Sequence, residues 1–80
     1  MTTIKFFAYL TEKVSPEGKV NASHCRTVGD LRDRISSEFP EIASDLYRCM
    51  IAINMEFKQD TDELPETIDG IAVIPPVSGG

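Results

Sequence analysis

Tryptophan is absent from this 80-residue chain, histidine occurs once, and cysteine only twice, at Cys25 and Cys49. Two cysteines are too few for a disulfide scaffold and leave a plant-type iron–sulfur site without its full set of cysteine ligands. Free, buried thiols are the expected state. The single His24 falls on an expected edge strand and reads as a surface residue, and no nucleophile–base pairing can be traced in the chain. Basic residues are scarce: eight Lys and Arg stand against thirteen Asp and Glu, for a net charge of −5. That balance argues against nucleic acid or an anionic membrane as the main partner, because both reward cationic surfaces. No apolar run approaches the ~20 residues of a membrane-spanning helix. Met1-Thr2-Thr3-Ile4-Lys5 leads straight into a strand-like segment without signal-peptide architecture, and these features together suit a cytoplasmic protein.

What remains is an ordinary globular composition, 41% hydrophobic and 26% charged. The length fits one small domain, which buries roughly 60–65% of its unfolded surface. An acidic body of this kind can complement a basic patch on a protein partner, chiefly by speeding encounter.

Hydrophobic period sets the expected elements. Thr3 to Leu10 reads as a strand, with Ile4, Phe6, Ala8 and Leu10 on the core face and Lys5, Phe7 and Tyr9 on the other. A turn holding Pro16 and Gly18 follows, then a weaker strand over Lys19 to Cys25 that suits a sheet edge. Thr27-Val28-Gly29-Asp30 matches a capping box and opens a helix to about Phe39. Val28, Leu31, Ile35 and Phe39 form its apolar stripe, and Pro40 stops it. Ile42 and Leu46 point inward from a further helical turn, before a strand over Arg48 to Asn54 with Cys49, Ile51 and Ile53 on one face. A turn and a short strand, Glu56 to Lys58, come next. Asp60, Asp62, Glu63, Glu66 and Asp69 crowd one stretch, but it lacks the glycine and the regular spacing of a calcium loop and reads as a solvated acidic loop. Asp69-Gly70 turns the chain into a last strand, Ile71 to Ile74.

Two strands, a helix and two or three more strands predict an α+β fold of β-grasp, or ubiquitin-like, type. The expected sheet is mixed and has four to five strands, with the first and last parallel at its centre. One main helix crosses one face, leaving the other open. Phe7, Tyr9, Ala72 and Ile74 are expected on that open face, and an apolar patch of this kind marks a partner surface.

The ending concentrates the functional signal. Residues 1–74 form the domain, and residues 75–80, Pro75-Pro76-Val77-Ser78-Gly79-Gly80, form an extended tail. The prolines end the strand and stiffen the exit. Gly79 and Gly80 give a bare backbone that fits a channel too narrow for any Cβ. A carboxylate on such a tip is a poor electrophile, but as a mixed anhydride with AMP it can accept sulfide or an amine.

Ile4-Lys5-Phe6-Phe7-Ala8, Thr27-Val28 with Leu31, Ala52-Ile53-Asn54 and the Pro-Pro-Val-Ser-Gly-Gly ending resemble the small subunit of molybdopterin synthase across nearly the whole chain. Serine stands at position 78 where threonine is common, and the acidic stretch before Asp69 is longer and carries Pro65. The resemblance implies a ubiquitin-like sulfur carrier. An adenylyltransferase resembling ubiquitin-activating enzymes would adenylate Gly80 using ATP, and a sulfur donor system would convert the adenylate to a thiocarboxylate. The sulfur would then pass to a cyclic pyranopterin precursor inside the synthase large subunit, in a heterotetramer. No cofactor is implied as permanently bound, and no metal. Gly80 would carry the sulfur, Ser78 and Gly79 would thread the channel, Pro75, Pro76 and Val77 would guide the tail, and Phe7, Tyr9 and Ile74 would meet the partner. A thiamine-type sulfur carrier, a protein modifier that forms isopeptide bonds and an interaction module with an inert tail are the alternatives.

Overall fold

The computed structural model describes residues 1–76. The strands are β1 (Thr2–Phe6), β2 (Glu17–Val20), β3 (Met50–Ile53), β4 (Glu56–Lys58) and β5 (Ile71–Ile74), and the helices are α1 (Leu10–Lys13) and α2 (Val28–Glu38). Single 3-10 turns at Pro40–Ile42 and Leu46–Arg48 join α2 to β3. The strands form one sheet in the order β2-β1-β5-β3-β4. β5 lies at its centre, parallel to β1 and antiparallel to β3. This is the expected mixed β-grasp, with β2 as the expected edge.

Alternation along the strands builds the core. Ile4 and Phe6, Ile51 and Ile53, and Ile71 and Val73 are buried on the helix-covered face with Val28, Leu31 and Ile35 of α2. Non-directional burial of these side chains is the main force holding the sheet to the helix. The Phe6 and Phe39 rings meet edge to face with centroids 5.0 Å apart. Ile42 and Leu46 are buried as their spacing predicts, each on a 3-10 turn.

The helix begins where its capping box places it. Thr27 Oγ1 accepts from Asp30 N, and the Asp30 carboxylate accepts from the Thr27 and Arg26 backbone N–H groups. Those backbone donors hold the Asp30 carboxyl below its ordinary range.

The acidic stretch has a packing role that composition did not reveal. Val28 N donates to Asp62 O at 2.9 Å and Gly29 N to Asp60 O at 3.0 Å, so the loop satisfies two helix N-terminal donors. Gly29 permits that approach, since a Cβ there would lie 3.3 Å from the Asp60 carbonyl oxygen. Arg32 ties three segments together. Its guanidinium donates to the carbonyls of Leu46 and Cys49 and pairs with Asp60 at 2.9 Å.

The first strand is shorter than its alternation predicts. It stops at Phe6, because Ala8 adopts a left-handed backbone with φ 54° and the chain turns into α1. Ala8 is therefore exposed and not in the core, whereas Leu10 reaches the core from the helix. β2 likewise spans Glu17–Val20 and ends well before Cys25, and His24, with φ 68°, lies exposed in the turn beyond it.

Candidate functional site

The sheet face away from α2 is open. Register places Lys5 beside Ala72, Ala72 beside Ala52, Ala52 beside Phe57, and Met50 beside Ile74. Phe57 and Met50 are 61% and 49% exposed, and Phe7, one residue past β1, is 43% exposed. A hollow of about 480 Å³ opens among Thr3, Lys5, Phe7, Met55, Asp69 and Ala72. Phe7, Ala72 and Ile74 thus stand where the sequence puts them, and Met50 and Phe57 widen the apolar face toward β4. Phe57 was missed because Glu56 and Lys58 flank it in a three-residue strand, too short for alternation to assign a face.

Tyr9 departs from its expected place. The left-handed Ala8 breaks the period of two, so Tyr9 sits at the start of α1, off the strand. Its hydroxyl donates to Asp45 Oδ1 at 3.2 Å. Lys13 Nζ donates to Asp45 Oδ2 at 2.9 Å and lies 5.6 Å from the centre of the Tyr9 ring. Asp45 is 6% exposed, the one buried charged residue among those described. The Lys13 bond holds its carboxyl below the usual range against the opposing effect of burial. The same bond raises Lys13, while desolvation and the Asp45 carboxylate raise the Tyr9 phenol. Tyr9 is thereby held by Asp45 and lies off the strand, with 38% of its surface still exposed.

The tail continues from the central strand. Ile74 is half-buried, Pro75 buried and Pro76 exposed, so the chain meets solvent at the second proline. The expectations for Val77, Ser78, Gly79 and Gly80 lie outside the described residues.

Other candidate groups are quiet. Cys49 is buried and donates from Sγ to Asp45 O at 3.3 Å; Cys25 is half-buried and unbridged. Burial pushes both thiols up, so both are protonated at neutral pH. Among the described residues no three His, Cys, Asp or Glu side chains gather to hold a metal ion, and no helix is long and apolar enough to cross a membrane.

Comparison with known proteins agrees with this geometry. No curated protein matches the sequence. Among solved structures, SAMP1 from Haloferax volcanii is similar at 27% identity with a TM-score of 0.76, over 99% of this chain and 98% of that one. A second structure, of H. volcanii small archaeal modifier protein 1, is 26% identical with a TM-score of 0.76, over 95% of this chain and 97% of that one. A putative molybdopterin converting factor subunit 1 from Pyrococcus furiosus shares the fold, with a TM-score of 0.74 at 20% identity over 95% and 97%. The model of the ThiS family matches residues 4–80, through the glycine pair, and the chain therefore belongs to the ThiS family of ubiquitin-like sulfur carriers.

Proposed function

We propose that this protein is the sulfur-donating small subunit of a molybdopterin synthase. The observation that carries the reading is the sequence Pro75-Pro76-Val77-Ser78-Gly79-Gly80, which follows in the chain on β5, the central strand of a sheet with an apolar open face. The Gly80 carboxylate attacks ATP on an adenylyltransferase resembling ubiquitin-activating enzymes, and pyrophosphate leaves. A sulfur nucleophile from a donor system displaces AMP and leaves a thiocarboxylate. The charged tail, with Ser78 and Gly79 in a narrow channel of the large subunit, gives its sulfur to cyclic pyranopterin monophosphate in a heterotetramer. ATP belongs to the activating enzyme, and the carrier itself holds no resident cofactor. Phe7 and Ile74 dock the partner.

Intact mass spectrometry after incubation with ATP, activating enzyme and sulfur donor tests the charging step. A gain of about 16 Da, one oxygen exchanged for sulfur, is expected, and Gly79→Val should abolish it while leaving the fold intact. An unchanged mass in the unsubstituted protein rejects the carrier chemistry. Addition of large subunit and pyranopterin precursor should then return the mass to its starting value.

A second reading follows from the 27% and 26% identity to small archaeal modifier protein 1. There the activated Gly80 acylates a lysine amine instead of accepting sulfur. Covalent adducts with other proteins in a cell extract, in place of transfer to the pterin precursor, favour that role.

A further inference from the structure

We propose that Asp45 is a positioning residue for partner docking, holding the Phe7–Lys13 segment so that Phe7 is presented on the open face. The inference rests on the docking role given above to that face.

Phe7 lies between two fixed points. On one side Phe6 is buried and its N–H donates to Pro16 O at 2.9 Å. On the other, Phe7 O accepts from Leu10 N at 3.2 Å, so Phe7 supplies the first carbonyl of the α1 turn. Loosening α1 therefore removes the hydrogen bond that holds the Phe7 carbonyl. α1 has four residues, far below the length at which a helix holds itself in water. Its Ala8 entry adopts a backbone that disfavours any side chain. Tertiary anchors must supply what the local sequence does not.

Two anchors are present. Leu10 is fully buried in the core. Asp45 takes the Tyr9 hydroxyl and the Lys13 ammonium, one on each carboxylate oxygen, and so grips both ends of α1. Asp45 is itself fixed from behind. Its N–H donates to Ile42 O at 2.9 Å, and its carbonyl accepts from Arg48 N at 3.0 Å and from Cys49 Sγ. A buried carboxylate is retained only with such partners. Here both side-chain partners come from the segment that follows the docking residue, more than thirty positions away in sequence.

The test is a double-mutant cycle read as the dissociation constant for the activating enzyme of the same organism, the partner common to both functional readings. Asp45→Asn should weaken binding roughly fivefold in the otherwise unaltered chain. In the Phe7→Ala background it should change binding by less than about 1.5-fold, because the presented ring is gone. Tyr9→Phe, which keeps the ring and removes one bond to Asp45, should act in the same direction and more weakly. Hydrogen exchange supplies an independent reading: in Asp45→Asn the Leu10, Thr11, Glu12 and Val14 amides should exchange at least about tenfold faster. Unchanged exchange, or equal penalties in both backgrounds, overturns the positioning role. If Phe7→Ala leaves the dissociation constant unchanged, the docking face itself is wrong and this inference falls with it.

Discussion

At the scale of single residues, two depressed carboxylates contribute to the acid stability of the protein. Asp30 is held down by the Arg26 and Thr27 backbone donors and Asp45 by Lys13. In both cases the folded-state value lies below the unfolded one. Their contribution is present above the unfolded carboxylate range, around pH 4, and is lost as pH falls through the folded values. Lys13 and Tyr9 shift the other way, so the same cluster is complete below their unfolded values, near pH 10, and weakens as pH rises through the folded ones. Chemical denaturation across pH should show Asp30→Asn and Asp45→Asn flattening the acid limb, each relative to the unsubstituted chain. A limb as steep as before in both variants refutes the assignment. Position 9 also marks where sequence reading lost its hold. Alternation assumes an extended backbone, and nothing in Phe7-Ala8-Tyr9 announces that Ala8 takes a left-handed turn, a conformation alanine rarely adopts.

At the scale of elements, α2 was readable because its determinants are local. Thr27 and Asp30 fix its start, Pro40 its end, and Val28, Leu31 and Ile35 its buried stripe, all within or just beside one helix of 11 residues. Replacing Thr27 by Ala should lower unfolding free energy by about 1 kcal/mol, measured from denaturant midpoints at constant slope. No loss would mean that the loop carbonyls of Asp60 and Asp62 already hold the helix N-terminus unaided. Those carbonyls are the part that sequence could not supply. Their acidic side chains draw attention, whereas it is the backbone oxygens, brought in from more than thirty residues away, that meet Val28 and Gly29. α1 was unreadable for a related reason: four residues have no period, and what holds them is a carboxylate on a distant turn.

At the scale of the molecule, the proposed function divides holding from chemistry. The element order was enough to place β5 at the centre and to leave one face open, because one helix can cover only one side of a sheet. In the proposed function that face, with Phe7, Met50 and Phe57 exposed on it, is the grip, and the glycine pair that follows Pro75-Pro76 in sequence is the reactive end. The two functions should then separate by substitution. A chain lacking Gly79 and Gly80 keeps the whole described body, so its thermal midpoint should match that of the intact chain. It cannot be charged, yet it should still occupy the activating enzyme and inhibit charging of the intact protein competitively, with an inhibition constant within about tenfold of the intact chain's dissociation constant. Introducing Phe7→Asp into the truncated chain places a charge in the apolar contact and should weaken that inhibition by tenfold or more, about 1.4 kcal/mol. Inhibition that vanishes on truncation alone would place the grip in the tip, and inhibition indifferent to Phe7→Asp would move it off the open face.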